Sequence, residues 1–231
     1  MAIHYLLLWL EAPLQSWGFD SKFNRRDTLD FPTRSGIVGL ILCAMGAKGK
    51  QIELLERLSQ YKQTVYSFKK DKKEALLCDF QMVGSAYDET DPWTTLLIPK
   101  TSEGKKAVGG GTKLTYRYYL QDACFGVILE LPEDLAKQTE YALKKPVFDL
   151  YLGRKNCVPS DFIYRGNFFT NEEAEAELLN ISKEKGLTLA FKVLSEDKAS
   201  EGDVITINDI PVQFGTDKRY KDRRVTIVQV T

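Results

Sequence analysis

The sequence contains little from which a conventional catalytic or metal centre could be built. Histidine occurs once, at His4, inside an apolar run, where a buried neutral imidazole is the ordinary outcome. The four cysteines, Cys43, Cys78, Cys124 and Cys157, are scattered singly, with no C-x-x-C pair. That scatter argues against a zinc site and a disulfide framework, and suits free thiols in the cytoplasm. Charge is balanced, with 32 Lys and Arg against 32 Asp and Glu. Any surface for a polyanion must therefore come from local patches and not from the overall field. No apolar run reaches the length of a membrane span. The N-terminal "MAIHYLLLWLEAP" lacks a basic flank and a cleavage site, so a buried strand is expected there, not a signal peptide. The glycines of "GKKAVGGGTK" are not closed by Lys-Ser or Lys-Thr, which excludes a phosphate loop and leaves a flexible, locally basic arm.

What remains is an ordinary globular composition, 43% hydrophobic and 28% charged over 231 residues, enough for a well-buried core. Residues 3–10 are apolar at both alternating positions, the pattern of a central strand covered on both faces. A greasy helix is expected from about residue 37 to 45, and a second over 51–61. Strands are expected over 64–68 and 76–83, paired around the charged turn "KKDKKE". A long strand, or two split near Asp122, should span 116–131, and a helix 132–143, with Glu133 and Asp134 in its first turn. Strand, helix, strand, strand, strand, helix is compatible with a ferredoxin-like domain over 1–145. After it, residues 146–231 hold a helix over 171–185 and β segments at 187–194, 204–214 and 224–230, a smaller β-rich part of an α+β chain. Residues 84–115 are too long for an ordinary connection. Their apolar cluster, Trp93, Leu96, Leu97 and Ile98, suits an arm that a partner covers.

Four stretches have the chemistry of a binding site. "FPTRSGIVGLILCAMG" enters a buried helix through Thr33, Arg34, Ser35 and Gly36. A helix N-terminus offers unpaired N–H groups and partial positive charge to an anion, and Arg34 could add a bidentate clamp. Equally, Thr33 could be a plain cap and Gly36 a packing residue. "APLQSWG" places Gln15 and Trp17 just after the first strand, where they could read and stack on a base, or where Trp17 could pack into the core. The loop beyond carries Arg25 and Arg26 among acids. "YLGRKNC" sets Arg154 and Lys155 on a glycine turn at Gly153, suited to a sugar-phosphate backbone or to an exposed hairpin. "DKRYKDRR" has five basic residues against two acidic, more often a solvated face than a site.

Together with "YRYYLQDACFGVIL", these motifs resemble, in order, the CasD family of CRISPR-associated proteins, within the RAMP superfamily. The resemblance implies an RNA-recognition-like N-terminal domain with a protruding thumb over 84–115. It implies a non-catalytic subunit of a type I-E Cascade complex that caps the 5′ handle of the CRISPR RNA. Its neighbours would be a CasC-like backbone subunit and a CasA-like large subunit, with target DNA met only through the complex. No cofactor is implied. The RNA contacts would be Gln15, Trp17, Arg25, Arg26, Arg34, Ser35, Lys113, Gly153, Arg154 and Lys155. The alternative is a metal-independent endoribonuclease cutting CRISPR repeat RNA, with His4, Tyr116 and Lys113 as its candidate set.

Overall fold

The computed structural model describes residues 2–19, 21, 24–69, 75–83, 90, 101–105 and 113–230. Its centre is β1 (Ile3–Glu11). Leu6, Leu8 and Leu10 point into one core, while Leu7 and Trp9 point into a second on the opposite face. Both alternating faces are therefore apolar because both are covered. Beside β1 lie β7 (Cys124–Pro132) and β8 (Tyr164–Phe168), each antiparallel to it. The sheet continues through β4 (Gln63–Lys69), β9 (Thr188–Leu194), β11 (Arg219–Gln229) and β10 (Asp203–Gln213). The order is β10-β11-β9-β4-β7-β1-β8, antiparallel at every pairing.

Strands from before residue 145 and after it thus share one sheet. Val193, Ile207 and Val225 join Leu8, Val65 and Val127 in the larger core. On that face pack α1 (Arg34–Ala44), α2 (Ile52–Ser59) and α3 (Glu133–Lys144), through residues such as Ile37, Ile41, Leu55 and Leu135. The opposite face is covered by α4 (Asn171–Glu184), which buries Ala174, Leu178 and Ile181. Its start is fixed by a capping box between Thr170 and Glu173.

A smaller sheet joins β2 (Leu14–Gln15), β3 (Arg25–Arg26), β5 (Leu77–Val83) and β6 (Lys113–Gln121). Here the expected 64–83 hairpin is corrected. β4 pairs with β7 and β9, and β5 pairs with β6. Burial explains the difference: β4 is apolar on both faces and takes an interior slot, while β5 is mostly exposed. The chain passes from the small sheet to the large one at Asp122, whose φ of 46° makes the corner. Val83 and Lys113 are paired at the far end of the β5–β6 ladder. The segment expected to form the thumb departs there, and most of it lies outside the described residues. Among the described residues, no helix is long and apolar enough to cross a membrane.

Candidate nucleic-acid interface

Three of the four sequence motifs meet at one point. The Gln15 side chain is fully buried and donates to the carbonyls of Leu10 at 3.1 Å and Ala123 at 2.7 Å. Its Oε1 accepts from Trp17 Nε1 at 3.1 Å. Trp17, 1% exposed, lies across Gly36, where an added Cβ would stand 2.7 Å from the indole Cε3. Gly153 approaches from the other side with φ +94°; a Cβ there would fall 1.7 Å from the Ser16 carbonyl oxygen. Gln15 and Trp17 are thus parts of the frame. Their expected contact with RNA is corrected: the amide is engaged by the chain itself and the indole is inside the core.

Arg34 is corrected in the same way. It is 4% exposed, and its guanidinium turns inward to donate to the carbonyls of Leu58 and Tyr61 at the end of α2. Burial, reinforced by the like charge of Arg223, pulls its pKa down to about 10, which leaves it protonated at neutral pH. The anion at the mouth of α1 is a residue of the chain itself. Asp209, fully buried on β10, accepts the Arg34 backbone N–H at 2.7 Å. The same carboxylate receives Arg223 Nε at 2.6 Å and Nη2 at 2.9 Å. Thr33 caps the helix, accepting from the Gly36 N–H. Asp209 was not singled out in the sequence; its only signal there is an acid set among the apolar residues of "VITINDIPVQ".

The outer side of this frame is an open groove of about 670 Å³. Within α1 only Ser35, Gly36, Gly39 and Cys43 escape full burial, and all four line it. One wall is the turn of Tyr151, Gly153 and Arg154, and the chain leading to it is tied to the end of α1 by the Val147 N–H, which donates to the Ala44 carbonyl. The other is the β10–β11 hairpin, which lies along α1 from Asp209 at its start to Phe214, bonded to the Lys50 carbonyl beyond its end. Arg26, Arg154 and Lys218 line the groove, and among the described residues no carboxylate does.

Arg154 is held in place by three contacts. It donates to the carbonyls of Tyr118 at 3.2 Å and Arg26 at 2.9 Å, and stacks over the Tyr119 ring at 4.6 Å. Arg25 points elsewhere, paired with Asp27 at 2.9 Å and lying over the Tyr118 ring at 4.8 Å. Lys155 is exposed on the same turn as Arg154, and Lys113 opens β6 where the 84–112 segment departs. Lys218 is the groove cation that sequence reasoning left among solvated charges. The alternative catalytic set is not assembled. His4 Nδ1 meets Asn167 Oδ1 at 3.0 Å and its ring packs on Phe169, whereas Tyr116 belongs to the small sheet, against Phe80.

Comparison with known proteins places the chain in a family. Residues 5–226 match the family model described as CRISPR-associated protein (Cas_Cas5). The chain is 32% identical over 179 residues to "CRISPR system Cascade subunit CasD" of Escherichia coli (strain K12), covering 76% of each chain. A chain of the solved "CRISPR RNA-guided surveillance complex" superposes with a TM-score of 0.74 at 28% identity, over 98% of this chain and 90% of that one. A second, "Crystal structure of Cas protein", gives 0.62 at 27% identity, over 97% and 94%. The family model spans almost the whole sequence, including every motif that frames the groove. The chain belongs to the Cas5 family of CRISPR-associated proteins.

Proposed function

We propose that this chain is a non-catalytic subunit of a cytoplasmic Cascade complex that grips the 5′ handle of the CRISPR RNA, and that the groove along α1 receives it. The observation that carries this reading is the groove's charge. Arg26, Arg154 and Lys218 face an open channel with no carboxylate among the described residues of its lining, which favours a phosphodiester chain. The handle's phosphates lie toward Arg26, Arg154 and the Ser35 hydroxyl, with Lys155 at the rim. The six elements β1-α1-β4-β7-α3-β8, with the strands ordered β4-β7-β1-β8, form a ferredoxin-like unit, as in RNA-recognition domains. Residues 84–115 are the thumb, the part that meets a CasC-like backbone subunit. The chain links that subunit to a CasA-like large subunit, and target DNA is met only through the assembled complex.

The test is a photo-crosslink from the handle of a labelled guide RNA in the purified complex. Crosslinked peptides should come from residues 16–26, 150–155 or 214–220. Crosslinks confined to the α4 face would overturn the reading. Incubation of the chain with a labelled repeat RNA tests the rest. Cleavage that His4→Ala abolishes would establish the endoribonuclease alternative.

A further inference from the structure

Two glycines of α1 sit in the groove for different reasons. Gly36 is required by packing, since Trp17 occupies the space a Cβ would need. Gly39 has no such neighbour: among the described residues, nothing lies within 4 Å of a Cβ built on it. Glycine is the poorest helix former after proline, and an interior position with open space is where alanine should be preferred. The chain nonetheless leaves the helix backbone bare at Gly39, in the floor of a cavity whose walls carry cations and whose lining includes Phe19, Tyr151, Phe214 and Tyr220.

We propose that Gly39 is a clearance position, kept without a side chain so that one nucleobase of the bound RNA lies flat on the helix backbone. This rests on the functional reading above. The chemistry at this point selects a base and not a phosphate. Mid-helix N–H groups are engaged within the helix and have nothing to donate, and Leu40 and Cys43 continue the floor as apolar surface. A flat π-face suits such a floor, and stacking or face contact tolerates any base. The phosphates on either side reach Arg26 and Arg154 toward the helix mouth and Lys218 on the hairpin wall.

The experiment measures the melting temperature of the chain and the affinity of the complex for a guide RNA carrying a 3′ fluorophore. Gly39→Ala should raise the melting temperature by about 2 °C. Gly39→Leu should stay folded yet bind about tenfold more weakly, the scale of one lost base contact. Wild-type affinity in folded Gly39→Leu overturns the proposal. Should that variant fail to fold, an abasic scan of the handle with wild-type protein decides. One position should lose about tenfold, and uniform affinity across the scan overturns the proposal. Lys218→Glu and Arg26→Glu separate the two levels. If they weaken binding while Gly39→Leu and the scan do nothing, only the clearance role falls. If they also do nothing, the functional reading falls with it.

Discussion

A Cβ placed on Gly153 would lie 1.7 Å from the carbonyl oxygen of Ser16. The two residues belong to motifs far apart in sequence, and the contact joins the 150s turn to the loop after β1. Because the obstacle is backbone and φ is +94°, no rotamer change relieves it. Gly153→Ala should therefore destabilise the chain by about 3 kcal/mol or more. Gly36→Ala meets an indole that can shift, so about 1–3 kcal/mol is expected. Urea midpoints of the two variants check the ranking, and equal midpoints would contradict it.

The same contacts explain how much of the site was legible. The co-occurrence of "LQSWG", "TRSG" and "YLGRK" has a structural reason, because the three motifs pack on one another. Their roles were not legible. Tryptophan and arginine beside glycine look alike in sequence whether they face ligand or core, and only tertiary contacts turned Trp17 and Arg34 inward. The apolar pattern of β1 and the corner at Asp122 were readable from local sequence. The partner of β4 was not, since strand pairing is decided by which faces other elements cover. Lys218 reached the groove through a hairpin that bonds α1 across 175 positions, a relation without local signal.

Asp209 provides a second test. Its carboxylate compensates the charge of Arg223, whose Nη1 also donates to Ser195 Oγ at 3.0 Å, while accepting the Arg34 N–H. Asp209→Ala should lose about 3–5 kcal/mol, mostly by leaving a buried cation without its counter-charge. Replacing the pair together, Asp209→Ala with Arg223→Leu, should recover much of the loss. A double variant as unstable as the single one would show that the Arg34 contact dominates instead.

Lys185 ties the end of α4 to Glu11 at 2.8 Å and Asp161 at 2.7 Å. Burial works to raise both carboxyls, but hydrogen bonds from Lys185, with Trp9 helping at Glu11, leave both below their ordinary values. Hydrogen bonds to Asp161 and Glu11 raise Lys185 in turn. The carboxylates' contribution is present above about pH 4, their unfolded range, and fades as pH falls through their lowered folded values. That of Lys185 is complete below about pH 10 and fades as pH rises through its raised value. Lys185→Met should then lose about 1 kcal/mol at pH 7, a modest figure because the pair is partly solvated. The difference from wild type should shrink by pH 3, and a gap independent of pH would remove the linkage.

The last prediction contrasts two cations that look equivalent in sequence. Lys218 is exposed and lines the groove, whereas Arg34 lies behind it with its guanidinium on the carbonyls of α2. A cation that neutralises one phosphate of single-stranded RNA contributes about 0.7 to the slope of log affinity against log salt concentration. Lys218→Ala should lower the slope by about that amount at unchanged melting temperature, with Arg26→Ala behaving alike. Arg34→Met should do the reverse: carbonyls at the end of α2 lose their donor and the melting temperature falls, but the slope of the protein that remains folded stays at the wild-type value. Titrations of guide RNA at several salt concentrations, run alongside thermal melts, give both readouts on each variant. A reduced slope for Arg34→Met with an intact melting temperature would mean that its side chain turns outward when RNA binds, and the groove would then have to be redrawn around the helix mouth.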